Sequence, residues 1–482
     1  MIDDVYVQKI VNKLKMGIEV ELKKENYEQT LDLISNCANL IYQTNLYYYD
    51  ESLEENLELV SNKLNIIIPY ENEKNTVLFY DGFGLNNRGL IQIYLKALCQ
   101  LKKVIYVTYE DCADRIPEIL RILNEYEGTA LYINRKHNGY IQQIFQLARI
   151  IFEKKPHNFF FYSFPNDVVG VVVLNAMKGK ICRYQINLTD HAFWIGARCI
   201  DKCIEFRDYG ASISKKYRDI SRDAIVKIPF YPIINKKQKF QGFPFNLEDD
   251  QKIIFSGGAL YKTLGGQNKY YEIIDHVLKE HEKIIFWYAG SGDDSELKKL
   301  MQKYPKRVFH TSERSDLFQI LERCRLFLNT YPICGGLMYQ YAASAGIVPV
   351  TLKHDDDADG YLLNQSRINV NFCKEIDLYK EIDNLILDDS YFSKRKEQME
   401  HAIISSKEFL ENIQRLFKNE TGLEINYTDI DTISFRDEYL KRLRYRDIDS
   451  FLVNKKTFKT SFKYIPFHLL KGLIIKITSK VF

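Results

Sequence analysis

The feature that most constrains the fold is an alternation of apolar runs and amphipathic helices that occurs twice along the chain. The first alternation begins with NTVLFYDGF at residue 75 and ends with CRYQINLTD at residue 190. The second begins with KIIFSGGA at residue 252 and ends with IVPVTL at residue 352. Apolar strands separated by helices are typical of parallel sheets covered on both faces. The sequence therefore predicts an α/β protein with two tandem, doubly wound, Rossmann-like sheets.

The positions of these alternations divide the chain into segments. A connector that contains proline and lysine, VKIPFYPIINKKQK, separates the two alternations. We predict a helical cap at 1–75, a first sheet domain at 76–235, a second sheet domain at 236–420, and a helical extension with a basic amphipathic tail at 421–482. Ligands of such sheets bind beyond the carboxyl ends of the strands. Two such domains facing each other would place the site in the cleft between them.

The charge of the chain is concentrated at its C-terminus. The net charge is only +3, but residues 451–482 carry seven lysines and no acidic residue, so that the remaining 60 basic residues are matched by 64 acidic ones. A mildly acidic body with one basic end argues against a nucleic-acid partner. The tail mixes these lysines with large apolar residues, which suits an interfacial helix on an anionic membrane surface. The alternative is a last helix that packs on the body.

The cysteines and the apolar runs bear on the location of the protein. Nine cysteines are scattered without a CxxC pair, which favours reduced, buried thiols. The N-terminal residues lack the apolar core of a signal peptide, and no apolar run reaches about 18 residues. We therefore expect a cytoplasmic protein that is peripheral on the inner face of the cell membrane.

A pair of adjacent glycines, Gly335 and Gly336, lies between an apolar strand and a helix of small residues. Glycines remove Cβ atoms where the backbone must approach a ligand. The following helix would direct its free N–H groups and the positive end of its dipole at the same place. The pattern predicts a pocket for a phosphate, and the alternative is a glycine pair needed only for packing.

The second alternation resembles the nucleotide-sugar-binding half of a GT-B glycosyltransferase. The resemblance is carried by IIFSGGALYKTLGG, IIFWYAGSGDDSELKKL, RVFHTSERSDLFQILERCRLFLNTYP and the glycine-pair loop that follows them. It implies the GT-B fold over residues 76–420 and a nucleotide-diphosphate sugar donor, UDP-linked by expectation. It also implies that no metal or cofactor is required, because helix ends and cationic side chains stabilise the leaving diphosphate.

The sequence departs from the family at one point. Many retaining members carry two glutamates in this loop and helix, and the corresponding positions are near Ile333 and Tyr341. No Asp or Glu occurs from residue 329 to residue 352, and the His-Thr-Thr of protein-modifying GlcNAc transferases is absent as well. The resemblance therefore leaves the anomeric outcome open. Tyr339 or Gln340 would supply the ribose contacts.

The resemblance also implies candidate ligands for the donor. Lys262 and Thr263 lie in the glycine loop of the second domain and would contact the phosphates. Arg207, in IEFRDYG, lies near a strand end that faces the donor in the family. An exposed loop lysine with no ligand is the alternative for Lys262.

The candidate for acid–base chemistry is His191, which follows a predicted strand directly after Asp190. Members of the superfamily often carry a histidine at this point, and the pKa of histidine suits a general base. Asp190 would orient the imidazole or act as the base itself. The alternative is that Asp190 caps a following helix and His191 only packs.

Two further loops have possible roles. Gly82, Gly84, Asn87 and Arg88 follow the first strand and resemble the loop that borders the acceptor, although a turn that requires positive φ would explain the glycines equally well. The acidic loop KHDDDADGY, at residues 353–361, lacks the distant glutamate of a calcium loop. We interpret that loop as solvated and predict no metal site; the alternatives are a cation held by Asp355, Asp356, Asp357 and Asp359, or contact of the loop with the acceptor.

The expected function is a glycosyltransferase that moves a sugar from a nucleotide donor to a glycan or lipid-linked acceptor in bacterial surface-polysaccharide synthesis, such as capsule, O-antigen or exopolysaccharide. One alternative is a nucleotide-sugar 2-epimerase of the same fold, which would need acid–base carboxylates in the cleft. The other is a non-catalytic homologue that binds a nucleotide sugar or a glycan. The missing glutamate pair favours this last alternative.

Overall fold

The structure is a computed structural model that describes residues 4–68, 71–86, 89–420, 422–441, 448–453 and 455–478. The chain forms two compact units. The first unit comprises residues 1–228, 407–428 and 443–482, and the second comprises residues 229–406 and 429–442.

The first unit contains a parallel sheet with the order β3-β2-β1-β4-β5-β6-β7. Its strands are β1 (Glu73–Asp81), β2 (Lys103–Tyr109), β3 (Thr129–Ile133), β4 (Pro156–Tyr162), β5 (Cys182–Ile186), β6 (Lys202–Glu205) and β7 (Ile225–Lys227). The last six residues of β1 are all buried, as expected for a strand covered on both faces. The strand order reverses at this point: β2 and β3 lie on one side of β1, and β4 to β7 lie on the other. The carboxyl ends of β1 and β4 are therefore the expected ligand-binding edge.

The second unit repeats this topology with the order β10-β9-β8-β11-β12-β13. Its strands are β8 (Lys252–Gly257), β9 (Ile284–Ala289), β10 (Val308–Thr311), β11 (Leu326–Leu328), β12 (Pro349–Leu352) and β13 (Asn371–Phe372). The order reverses between β8 and β11. The prediction of two doubly wound parallel sheets is confirmed.

Helices cover both sheets. They are α1 (Asp4–Lys23), α2 (Tyr27–Thr44), α3 (Glu51–Lys63), α4 (Gly89–Leu101), α5 (Pro117–Glu125), α6 (Tyr140–Lys154), α7 (Val168–Ala176), α8 (Asp208–Tyr217), α9 (Lys269–Glu280), α10 (Ser295–Lys303), α11 (Leu317–Leu321), α12 (Gly336–Ser344), α13 (Gln365–Ile368), α14 (Glu375–Leu387), α15 (Asp389–Met399), α16 (Ser406–Phe417), α17 (Thr432–Lys441), α18 (Ile448–Leu452), α19 (Lys455–Ser461) and α20 (Pro466–Thr478). None of the helices in the described ranges is both long and apolar enough to span a lipid bilayer.

The N-terminal helices do not form a body of their own. Leu14 of α1, Ile34 of α2 and Leu57 of α3 belong to one hydrophobic core together with Leu78 of β1 and Phe159 of β4. Burial of apolar surface is the main stabilising contribution in such a core. The segment at 1–75, predicted as a separate cap, is therefore an integral layer of the first unit.

The C-terminal part of the chain returns to the first unit earlier than the sequence suggests. Phe409 of α16 packs edge-on against Tyr94 of α4, with ring centroids 5.1 Å apart, and Phe417 packs against Phe160 of β4 at 6.0 Å. Residues 407–420, predicted as the end of the second domain, thus group with the first unit. The boundary in the connector lies between residues 228 and 229 instead of at 235.

Candidate functional site

The end of β8 and the end of β11 are adjacent in the second sheet, and the loops that follow them contact each other. Lys262 lies in a 3-10 turn, Leu260–Thr263, after β8. Its Nζ donates a 3.3 Å hydrogen bond to the carbonyl of Cys334, and its own carbonyl accepts one from the N–H of Ile333 at 3.3 Å. The structure therefore brings Lys262 next to the glycine pair, although 72 residues separate Lys262 from Cys334 along the chain.

Asn329, directly after β11, fixes the shape of the glycine-pair loop. Its buried Oδ1 accepts hydrogen bonds from the N–H of Thr330 at 2.9 Å and from the N–H of Gly335 at 3.0 Å. The hydroxyl of Thr330 donates to the carbonyl of Ile333 at 2.7 Å. Because these bonds close the loop on itself, its backbone is held in place before any ligand binds.

Close packing, not a left-handed backbone, explains the glycine pair. A Cβ on Gly336 would lie 2.1 Å from the ring of Tyr361, and a Cβ on Gly335 would lie 3.0 Å from Oδ1 of Asn329. Gly335 has φ −88°, which any residue can adopt. Gly335 is the N-cap of α12 and forms no side-chain cap hydrogen bond. The first turn of α12 therefore presents backbone N–H groups that no N-cap side chain covers.

Replacement of Gly336 by alanine is expected to destabilise the protein by about 1–3 kcal/mol, because the new Cβ must displace the ring of Tyr361. Chemical denaturation of the full chain measures this cost. In a Tyr361→Ala background the added cost of Gly336→Ala should largely vanish, because the obstructing ring is gone. An equal cost in both backgrounds would show that another contact requires the glycine.

Three side chains predicted to contact the donor form hydrogen bonds within the second unit. The hydroxyl of Tyr339 donates to Oδ1 of Asn371, and Tyr339 is fully buried. Nε2 of Gln340 donates to the carbonyls of Phe230 and Tyr361, at 3.0 and 3.1 Å.

Thr263 is the third of them. Its buried hydroxyl donates to the carbonyl of Leu260 at 2.8 Å and lies 2.7 Å from the hydroxyl of Tyr271. These contacts hold all three side chains within the second unit, and the roles of Tyr339 and Gln340 at the ribose and of Thr263 at the phosphates stay predictions. The sequence did not show that the side chains of Tyr339 and Gln340 in α12, and of Thr263 in its loop, would be buried.

In the first unit, Asp190 follows β5 and Arg207 follows β6, and these strands are neighbours. Nε and Nη2 of Arg207 donate to the two carboxylate oxygens of Asp190 at 2.6 and 3.1 Å. Both side chains are at most 1% exposed. Arg207 is therefore half of a buried ion pair, and its role as a donor ligand stays a prediction.

This ion pair decides what Asp190 can do. Burial alone would raise the pKa of Asp190, but the charge of Arg207 and the hydrogen bond of His191 lower it to about 2. A carboxylate with that pKa is a poor general base. Oδ1 of Asp190 lies 3.3 Å from Nδ1 of His191, and the imidazole is 33% exposed. When Nδ1 donates to Asp190, Nε2 is the nitrogen that can accept a proton.

The backbone around His191 is held by residues that the sequence did not single out. Residues 187–196 contain no helix, so Asp190 is not a helix cap. Nη2 of the buried Arg218 donates to three carbonyls, those of Thr189 at 3.1 Å, Asp190 at 2.9 Å and Ala192 at 2.7 Å. Asn45, the C-cap of α2, donates to the carbonyl of His191 at 3.2 Å. This turn is thus fixed by Arg218 and by the N-terminal helices.

The N-terminal helices also fix the far end of the same segment. The buried carboxyl of Glu54, in α3, accepts hydrogen bonds from the N–H groups of Gly196 at 2.7 Å, Ala197 at 3.3 Å and Arg198 at 3.4 Å. Burial raises the pKa of Glu54 to about 7 despite these donors. No local sequence pattern links Glu54 to residue 196, because the contact depends on how α3 packs.

The first glycine loop has the geometry of a turn. Gly84 has φ +59°, and Oδ1 of Asp81 accepts from the N–H groups of Phe83 and Gly84 at 2.9 and 3.1 Å. A Cβ on Gly82 would lie 1.8 Å from Oγ of Ser163. Asn87 and Arg88 lie outside the described residues. The role of this loop at the acceptor stays a prediction.

The acidic loop after β12 is partly neutralised from within. Nζ of Lys353 pairs with Asp359 at 2.5 Å and with Asp356 at 3.4 Å. Oδ1 of Asp355 accepts the N–H of Asp357 at 2.8 Å. These contacts join the acidic side chains of the loop to Lys353 and to the backbone, and the interpretation of the loop as solvated stays a prediction.

Comparison with known proteins shows similarity in fold to solved structures and no similarity in sequence to a family model or a curated protein. No protein-family model matches the chain, and no curated protein sequence matches it. Several solved structures do. A mutant O-GlcNAc transferase of Thermobaculum terrenum aligns with TM-score 0.51 and 11% identity over 90% of this chain and 82% of its own.

Two further structures are similar over most of their own length. A glycosyltransferase of Rickettsia africae aligns with TM-score 0.53 and 12% identity, over 72% of this chain and 98% of its own. Anabaena HepE, in complex with UDP, aligns with TM-score 0.52 and 10% identity, over 71% of this chain and 99% of its own. With its two doubly wound sheets, the chain has the fold of the GT-B glycosyltransferases.

Proposed function

We propose that the protein is a glycosyltransferase that moves a sugar from a nucleotide-diphosphate donor to a glycan or lipid-linked acceptor. The observation that carries this proposal is the arrangement at the ends of β8 and β11. There the ammonium group of Lys262 lies 3.3 Å from the carbonyl that precedes the glycine pair. A cation beside the N-terminus of a helix, at the point where the strand order reverses, suits the diphosphate of a nucleotide sugar. A UDP-linked donor is supported by the UDP bound to the similar Anabaena structure.

Stabilisation of the leaving diphosphate would be electrostatic. Among the described residues, no carboxylate forms an ion pair with Lys262, so its charge is not neutralised within the protein. The N–H groups in the first turn of α12 would supply further donors for the negative charge that develops as the glycosidic bond breaks. We propose that no metal ion or cofactor is required.

Proton chemistry is assigned to His191. Its Nε2 would accept the proton of the acceptor hydroxyl while that oxygen attacks the anomeric carbon and the nucleoside diphosphate departs. Asp190 would hold the imidazole through Nδ1 and stabilise its protonated form, which the pKa of about 2 supports because the carboxylate stays charged. This assignment describes an inverting reaction and needs no second carboxylate near the donor.

The charge of the C-terminal residues is the basis for proposing where the reaction takes place and which acceptor it uses. The lysine-rich C-terminus, without an acidic residue from 451 to 482, favours substrates at an anionic membrane surface. We therefore propose a lipid-linked saccharide acceptor and a role in bacterial surface-polysaccharide synthesis, on the cytoplasmic face of the membrane.

Replacement of Lys262 by methionine is expected to weaken nucleoside diphosphate binding by about 10- to 100-fold, because it removes a charge-assisted contact of roughly 1.5–3 kcal/mol. Isothermal titration calorimetry with UDP, GDP and dTDP measures the effect and identifies the base. Lys299→Met is the control, because Lys299 is an exposed lysine of the same unit that pairs with Glu296. Equal affinity of Lys262→Met and wild type would contradict the assignment of this site.

A further inference from the structure

The last helix, α20, is docked on the first unit through one face. Leu469 is fully buried in the core of that unit. A Cβ on Gly472 would lie 2.1 Å from the carbonyl oxygen of Asp449, so α20 and α18 approach each other closely at this point. The carboxylate of Asp449 pairs with His468 at 2.9 Å and with Lys471 at 2.8 Å. These contacts fix which side of α20 faces outward.

The outward side of α20 is apolar. Its exposed residues follow a spacing of three, four and three, which places them on one stripe of an α-helix. They are Phe467, Leu470, Ile474 and Ile477, with exposures of 66%, 46%, 62% and 57%. We call these four residues the outer stripe. The helix thus packs on the body, as one interpretation of the tail predicts, and still presents an uncovered apolar face.

Lysines accompany the outer stripe along the chain. Lys471 lies on the helix between Leu470 and Ile474, and Lys463 and Lys476 are exposed before and within α20. Lys471 pairs with Asp449 and Lys463 pairs with Glu21 at 3.3 Å, but both carboxylates are buried, and no acidic residue occurs from 451 to 482. The surface around the stripe therefore presents ammonium groups and no exposed acid of its own helix. Such a surface is complementary to a bilayer with anionic headgroups, because the apolar side chains enter the acyl boundary while the lysines meet phosphate.

We propose that the outer stripe of α20 lies in the interface of an anionic lipid bilayer. The helix has 13 residues, which corresponds to a length of about 20 Å, too short to cross a hydrocarbon core of roughly 30 Å. It would therefore lie in the plane of the membrane surface, with the body of the first unit on the water side. This inference rests on the surface of α20 and is independent of the proposed transfer reaction.

Vesicle co-sedimentation of the full chain tests the proposal. Wild type is expected to bind vesicles of 30% phosphatidylglycerol in phosphatidylcholine at low salt and to dissociate as the salt concentration rises. The variant F467S/L470Q/I474S/I477Q should lose at least tenfold in binding. The variant I376S/L387Q, which alters two residues of similar exposure in the second unit, should bind like wild type. Truncation is unsuitable, because Ile465 and Leu469 belong to the core.

The possible results separate lipid from other occupants of the stripe. Equal binding by the stripe variant and wild type would overturn the proposal. The proposal would also be overturned if wild type does not bind phosphatidylglycerol vesicles but forms a dimer that the stripe variant does not form. That result would assign the stripe to a contact between two copies of the protein. The midpoint temperature of thermal unfolding is measured for wild type, the stripe variant and I376S/L387Q. Equal midpoints would show that the stripe variant is folded.

Discussion

Replacement of His191 by alanine is expected to lower the turnover of the donor by about 10²–10⁴-fold, because it removes the proposed general base for the acceptor hydroxyl. The affinity for nucleoside diphosphate should not change, because the proposed phosphate contacts belong to the second unit. Single-turnover kinetics together with a binding titration measure the two quantities separately.

The control for this substitution is His137→Ala. His137 is an exposed histidine of the first unit and has no role in the proposed reaction. It should leave both turnover and affinity unchanged. Turnover by His191→Ala at the rate of wild type would remove His191 from the mechanism, whereas a parallel loss of affinity would indicate a role in donor binding.

Replacement of Asp190 by asparagine is expected to destabilise the protein by about 3–5 kcal/mol, because it leaves the guanidinium of Arg207 buried without its counter-charge. The free energy of unfolding from chemical denaturation of the full chain measures this. Asp111→Asn is the matched control, since Asp111 pairs with Arg135 at an exposed position and should cost no more than about 1 kcal/mol.

The same pair predicts a dependence on pH. The pKa of Asp190 is about 2 in the folded protein and 3.8 ordinarily, so the ionised carboxylate stabilises the fold above pH 3.8 and this contribution is lost as the pH falls toward 2. The stability difference between wild type and Asp190→Asn should shrink over that range. If Asp190→Asn costs no more than Asp111→Asn at neutral pH, the buried pair does not hold the turn together.

Much of the fold could be predicted because its signal is local. The apolar runs that became β1 and β8, and the turns that follow them, are set by neighbouring residues. The placement of Lys262 beside the glycine pair also follows, since β8 and β11 are neighbours wherever a sheet has this strand order.

The remaining details of the site depend on long-range packing. Asp190 and Arg207 are 17 residues apart and meet only because β5 and β6 pair. Tyr339 and Gln340 lie on the buried face of α12 with Gly336 and Ala343, but the helix also carries Leu337, Met338 and Tyr341 outside that face, so no amphipathic pattern marked the face as interior. No local pattern predicts the contacts of Asn45 and Glu54 with the turn around His191, because these contacts depend on how the N-terminal helices pack on the sheet. The contacts of Arg218 with the same turn depend in the same way on the packing of α8.

Release of nucleoside diphosphate from a panel of nucleotide sugars shows whether the protein transfers a sugar. Wild type is expected to hydrolyse or transfer at least one donor, to lose most of this activity in Lys262→Met through weaker binding, and to lose it in His191→Ala with binding intact. A protein that binds a nucleoside diphosphate but releases none from any donor, or that only interconverts epimers of the bound sugar, would not be a glycosyltransferase.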